Sequence, residues 1–176
     1  GKLLAHVGGE AGEPYRSVRV VPGQQRLVTQ ELVGSPHSFE SASCLSLWDL
    51  GTRKQLAQLR GDTAFAVCES STTLATGDRH GHVHLTDGSG KRLYSFKAHT
   101  SAVGVISLSA DAKVLATSGC ADGGLRIVGE PPPPEVDVSV CVWDVAARRE
   151  RFRFTPSIYE VTHLVFSPNG RELLSK

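Results

Sequence analysis

The sequence lacks several things, and each absence narrows the reading. No apolar run approaches the length needed to cross a bilayer as a helix, so membrane insertion is not expected. Charge of one sign is missing too: 19 basic and 18 acidic residues leave a formal net charge of +1, which offers no electrostatic case for nucleic acid or an anionic membrane. Cys44, Cys68, Cys120 and Cys141 form no Cys-x-x-Cys pair, and a chain of 176 residues needs no disulfide staples. We read them as reduced, mostly buried thiols in an intracellular protein. The single asparagine, Asn169, is followed by Gly-Arg and forms no glycosylation sequon. There is no methionine and no signal pattern after Gly1, so the start reads as the middle of something. No segment shows helical periodicity.

What is present is a repeated strand block. Ser43–Asp49 reads Ser-Cys-Leu-Ser-Leu-Trp-Asp, and Ser139–Asp144, 95 residues on, reads Ser-Val-Cys-Val-Trp-Asp. A degenerate copy, His82–Asp87, lies between them with Thr86 where the Trp would be. Each block has apolar residues two apart, the side-chain period of a strand. A fixed spacing of such blocks marks a repeat architecture. Around them the chain divides into alternating runs separated by turns such as Pro22-Gly23, Gly51-Thr52-Arg53 and Pro168-Asn169-Gly170. Trp48 to Thr86 is 38 residues, close to one four-stranded propeller blade. Thr86 to Trp143 is 57, and the excess is the stretch Gly119–Asp137, with Gly123-Gly124 and the run Pro131–Pro134. Prolines cannot donate to a ladder, so this is an inserted loop.

These residues resemble the WD-repeat β-propeller family over essentially the whole chain, in degraded form. The resemblance implies an all-β propeller of four-stranded antiparallel blades, about three and a half of them present. The expected division is 1–13, the last strand of a preceding blade and a turn; 14–61, a blade; 62–99, a blade; 100–156, a blade with the insertion 119–137; and 157–176, the start of the next. Three and a half blades cannot close a ring, and an open arc bares apolar faces larger than the few hundred Å² a monomer tolerates. We therefore expect a fragment of a longer protein, with the remaining blades supplied by the same or another chain. The resemblance also implies a buried hydrogen-bond relay. In the third repeat it would use His99, Ser118, Trp143 and either Asp122 or Asp137, which the insertion keeps apart. Trp48, Asp49, Asp87 and Asp144 are the repeat anchors. Ala42 and His80 stand at the Asp place of the first two repeats, so these are expected to lack the relay and to depend on apolar packing.

Several groupings invite chemical readings. His80, His82 and His84 alternate on one strand, and three imidazoles plus water can make a zinc site. The plainer reading is polar slots of a third strand with no fourth ligand nearby. Arg60-Gly61-Asp62 spells an adhesion tripeptide but falls at a turn between blades. Gly88–Lys91 is too short for a phosphate loop and lacks a following helix. Arg148, Arg149, Arg151 and Arg153 make a basic stripe around Phe152 and Phe154 that suits RNA or an acidic partner; the plainer reading is charge on an outermost strand that guards against edge pairing. Ser35-Pro36, Thr155-Pro156 and Ser167-Pro168 fit proline-directed phosphorylation and also plain turns. No catalytic constellation and no cofactor is expected.

The functional expectation is a non-catalytic scaffold that docks other proteins through rim loops of a larger assembly. The expected rim is His37, Phe39, Asp62, Arg79, His80, Arg126, Pro132 and Pro133. A mainly architectural segment of a large cytoskeletal or ciliary WD-repeat protein is the alternative, and a metal or enzymatic site on the histidines a distant third. The cysteines and the missing sequon lead us to expect an intracellular, cytoplasmic protein, and the analogy with large WD-repeat proteins adds a cytoskeletal or ciliary association to that expectation.

Overall fold

The computed structural model describes residues 15–21, 25–33, 42–60, 62–68, 73–120, 136–156 and 160–176. Among them there are strands and turns and no helix. The chain divides into two compact units, Gly1–Asp62 and Thr63–Lys176.

The first unit holds one four-stranded sheet, β1 (Tyr15–Val21), β2 (Arg26–Val33), β3 (Ala42–Asp49) and β4 (Lys54–Arg60), in sequence order. All pairs are antiparallel. Val21, Val28, Cys44, Leu45 and Leu47 are buried in it.

The second unit repeats the meander. β5 (Asp62–Val67), β6 (Leu74–Asp78), β7 (His82–Thr86) and β8 (Arg92–Lys97) form one sheet in sequence order. β9 (Ala102–Leu108), β10 (Val114–Cys120), β11 (Val140–Asp144) and β12 (Arg149–Phe154) form the next. β13 (Leu164–Phe166) and β14 (Leu173–Ser175) make a two-stranded sheet. These are blades of a β-propeller: short antiparallel meanders, each apolar on the face it turns to its neighbour. One core joins Ala75, Val83 and Leu85 of the second blade to Val103, Ile106, Leu115, Cys141 and Trp143 of the third. Another joins Ala116, Val140 and Val142 of the third to Val161 and Leu164.

Register makes the repeat concrete. Leu27, Leu74 and Leu115 lie opposite Trp48, Thr86 and Trp143. Two residues on, Thr29, Thr76 and Thr117 lie opposite Ser46, His84 and Cys141. All four positions of each blade therefore share a face. The anchor aspartates close the turn that follows. Asp49 accepts from the Thr52 amide and hydroxyl, Asp87 from the amides of Ser89 and Lys91, and Asp144 from the Ala147 amide. These bonds hold all three carboxyls below their ordinary range: the Thr52 amide leads at Asp49, the Ser89 hydroxyl at Asp87 and the Ala147 amide at Asp144.

Candidate functional site: a braced polar rim

At one end of the third blade the buried side chains form a directed chain of hydrogen bonds. The Trp143 indole N–H donates to Thr117 Oγ1 at 3.2 Å. Thr117 Oγ1 lies 2.9 Å from His99 Nε2, and His99 Nδ1 lies 3.1 Å from Asp137 Oδ2. One arrangement of protons uses every group: Thr117 donates to Nε2, and the Nδ1–H donates to the carboxylate. His99 is thus neutral. Burial pushes its pKa down, against the pull of Asp137. Burial pulls Asp137 the other way, but the Ser139 hydroxyl and amide, His99 and the Thr100 amide outweigh it and hold the carboxyl at about 2.

This geometry corrects the expectation for Ser118. Its neighbour Thr117 carries the relay, because successive strand residues point to opposite faces. Ser118 lies opposite Val140 on the other face, and its buried hydroxyl has no partner. Asp137 stands in the acidic place; Asp122 lies outside the described residues.

The two degenerate blades were expected to have no relay. In the first, the Trp48 indole donates to Thr29 Oγ1 at 3.1 Å, and Thr29 donates to the buried Glu31 at 3.3 Å. A carboxylate two residues along the same strand ends that chain. In the second, Thr86 occupies the Trp place and Thr76 Oγ1 is unpartnered. The polar cluster moves instead to Asp78, whose Oδ1 accepts from the amides of His80 and His82 at 2.8 and 2.9 Å. Asp78 Oδ2 reaches His84 Nε2 at 3.3 Å, and His84 Nδ1 meets Ser95 Oγ at 2.8 Å. Burial, with Arg92 nearby, pushes His84 down.

The histidine cluster does not converge. The His82 and His84 rings lie side by side, 6.3 Å apart, with Asp78 Oδ2 at 3.4 Å from His82 Nδ1. His80 Nε2 faces Arg79 Nε. Among the described residues no group of three or more His, Cys, Asp or Glu is placed to hold a metal ion.

The rim above these networks is braced across blades. Gly81 takes φ +78°, and its carbonyl accepts from the amides of both Ala98 and His99. A Cβ there would sit 2.1 Å from the His99 carbonyl oxygen. Lys97 Nζ donates to the His80 carbonyl. Asp137 Oδ2 accepts from the Thr100 amide at 3.2 Å, and its carbonyl accepts from Ser101 Oγ at 2.8 Å. A Cβ on Gly119 would lie 2.0 Å from that carbonyl. Arg153 completes the brace, with Nη1 on Asp137 at 3.2 Å and Nη2 on the Ala98 carbonyl at 2.8 Å. The segments 79–81, 98–101 and 137–139 are therefore one fixed surface, with Arg79 and His80 exposed on it. Of the other expected rim residues, His37, Phe39, Arg126, Pro132 and Pro133 lie outside the described residues. Asp62 opens β5, and its side chain is likewise outside them.

The remaining motifs resolve into structure. Arg148 stacks over Tyr94 at 4.6 Å, Arg151 pairs with Asp144 at 2.9 Å, and Arg153 pairs with Asp137 and Glu150. The basic stripe is thus largely neutralised within the blade. The Ser89 and Lys91 amides point at Asp87, which leaves them no anion to cradle. Ser167 is engaged in its own turn with Asn169 and Glu172.

Comparison with known proteins agrees with the blades. Residues 90–128 match the WD40 family, described as WD domain, G-beta repeat. No curated protein matches the sequence significantly. Among solved structures, the chain is similar to one in "Crystal Structure of Mitotic Checkpoint Complex", with a TM-score of 0.67 and 16% identity, over 95% of this chain and 47% of that one. At that identity the likeness shows the fold, and this chain spans about half the length of its counterpart.

Proposed function

We propose, from the premise that the chain is a WD-repeat β-propeller, that it is a non-catalytic scaffold docking other proteins through the braced rim. WD-repeat propellers are in general protein-interaction scaffolds, and the solved neighbour belongs to a complex. The observation that carries the reading is the fixed surface of 79–81, 98–101 and 137–139. Binding groups concentrate on loops that a rigid scaffold positions, because a surface already ordered loses little entropy on docking. Here the ordering comes from Asp137, Gly81 and Arg153 rather than from a partner. The residues that flank the insertion, Gly119 and Asp137, stand against each other beside that surface. Cysteine usage and the family analogy support a cytoplasmic setting, with a cytoskeletal or ciliary assembly as its narrower form.

Cross-linking in cells separates docking from mere architecture. Intact protein is compared with a variant carrying Arg79→Glu and His80→Ala and with one whose residues 121–135 are replaced by a short Gly/Ser linker. Docking requires that cross-links to the rim disappear while the thermal transition stays put. Unchanged cross-links and assembly in both variants would leave the architectural reading.

A further inference from the structure

Of the three Ser/Thr-Pro pairs in the sequence, two fall within the described residues, and the fold treats them differently. Ser167 is engaged by its own turn. Its hydroxyl donates to Asn169 Oδ1 at 2.7 Å and accepts from the Glu172 amide at 3.0 Å, and its carbonyl accepts from the Gly170 amide at 2.8 Å. Thr155 directly follows β12 and is exposed, as is Pro156. Among the described residues nothing bonds its hydroxyl. The following proline keeps Thr155 extended. An extended segment with a free hydroxyl is what in-line phosphoryl transfer requires of its acceptor.

The face on which Thr155 lies gives that hydroxyl a neighbour. Alternate side chains of a strand point opposite ways. Phe152 and Phe154 share the face of Val142 and Val140, which is the side packed towards β13. Arg153 takes the other face. There its guanidinium donates to Asp137 at 3.2 Å, to the Ser139 hydroxyl at 3.0 Å and to the Ala98 carbonyl at 2.8 Å. The β11–β12 ladder ends at Val140 and Phe154, and the next residues on the two chains are Ser139 and Thr155. Thr155 lies two residues beyond Arg153, about 7 Å along an extended chain, so the two share the face that carries the rim brace.

We propose that Thr155 is a phosphorylation site for a proline-directed Ser/Thr kinase, and that its phosphate releases the rim brace by drawing Arg153 off Asp137. In the transfer the Thr155 oxygen attacks the γ-phosphorus of ATP and the bond from that phosphorus to the β–γ bridging oxygen breaks. ADP leaves, and the hydroxyl proton passes to the kinase's base. The product sets about two negative charges beside Arg153, which Asp137 and Glu150 already share. A phosphate offers the guanidinium a bidentate partner, and its like charge disfavours Asp137 beside it. The inference does not rest on the scaffold reading, because the brace exists whether or not anything docks on it.

The 176-residue chain and a free peptide of residues 150–160 are treated with a proline-directed kinase and Mg-ATP, and the modified positions are read by mass spectrometry. The expected result is phosphate on Thr155 in both, none on Ser167 until the chain is unfolded, and none on Thr155 in Pro156→Ala. Hydrogen exchange on the phosphorylated chain should then be faster, on the order of fivefold, at the amides of Thr100 and Ser139, which both donate to Asp137. In Arg153→Gln those amides should already exchange faster, and phosphorylation should add nothing. A folded chain that refuses phosphate at Thr155, or takes it on Ser167 as readily, overturns the site. Unchanged or slower exchange at Thr100 and Ser139 overturns the release, and an undiminished effect in Arg153→Gln overturns the part given to Arg153. No partner is present in either measurement, so these outcomes are separate from the test of docking.

Discussion

Thr117 and Ser118 are neighbours on β10 and are both fully buried, yet one hydroxyl joins an indole to an imidazole and the other meets nothing. Their substitutions should separate accordingly. Thr117→Val strands the Trp143 N–H and should cost about 1–3 kcal/mol. Ser118→Ala removes an unsatisfied hydroxyl and should be neutral or slightly stabilising. Urea denaturation of the two variants checks the contrast, and equal losses would count against the assigned relay.

The same logic extends along the repeat. Thr29→Val should destabilise, because Thr29 links Trp48 to Glu31. Thr76→Val, at the matching position of the second blade, should not, because Thr76 Oγ1 has no partner. The deciding measurement is the shift of the denaturation midpoint at constant slope.

Acid should unfold the protein through Asp137 and His99. Asp137 sits at about 2 in the fold against an ordinary 3.8, so its contribution is complete above the ordinary value and disappears as pH falls towards 2. That difference is worth about 2 kcal/mol. His99 is also shifted down from 6.5, so the unfolded chain takes the proton first and stability declines as pH falls below that value. Thermal melts across the acid range should show Asp137→Asn flattening the lower limb and His99→Gln the upper one.

Gly81→Ala should be costly, on the order of 3 kcal/mol, since it combines a positive φ with a Cβ driven into the His99 carbonyl. Hydrogen exchange should show the loss first at the amides of Ala98 and His99, which donate to Gly81. A uniform loss across the blade would mean the rim brace is not local.

Dialysis against zinc followed by metal analysis should leave no stoichiometric metal on the protein, given how Asp78 and Arg79 engage the three imidazoles. Asp78→Asn should instead weaken the β6–β7 turn, whose amides that carboxylate accepts. Retained zinc lost with His84→Ala would reverse the reading.

The blades were legible because alternation, turn residues and the Trp-Asp pairs all agree on them. The relay was only partly so. Which of Thr117 and Ser118 faces Trp143 depends on pairing register, which the Ser-Gly pattern does not encode. Asp122 and Asp137 stood apart by an insertion, and only the fold brings Asp137 to His99. Glu31 reads as a solvent-facing residue of an alternating strand, so its burial beside Thr29 was invisible. One signal was available: Leu27, Leu74 and Leu115 each precede a threonine by two residues, and those threonines are the relay position. Asp78 lies two residues beyond Thr76 on β6, as Glu31 lies beyond Thr29 on β2, but its bonds go to His84 and to the amides of the following turn rather than to the threonine.

Asp137 and Gly119 stand against each other at the two feet of the inserted segment, fastened by Ser101, Thr100 and Arg153. A hairpin clamped at its base isolates the blade from whatever the span between contains. Doubling the length of a loop between fixed ends adds only about 0.6 kcal/mol of closure cost. The position is therefore a cassette: sequence there can be exchanged, shortened or enlarged to address new molecules while the sheet beneath keeps its geometry.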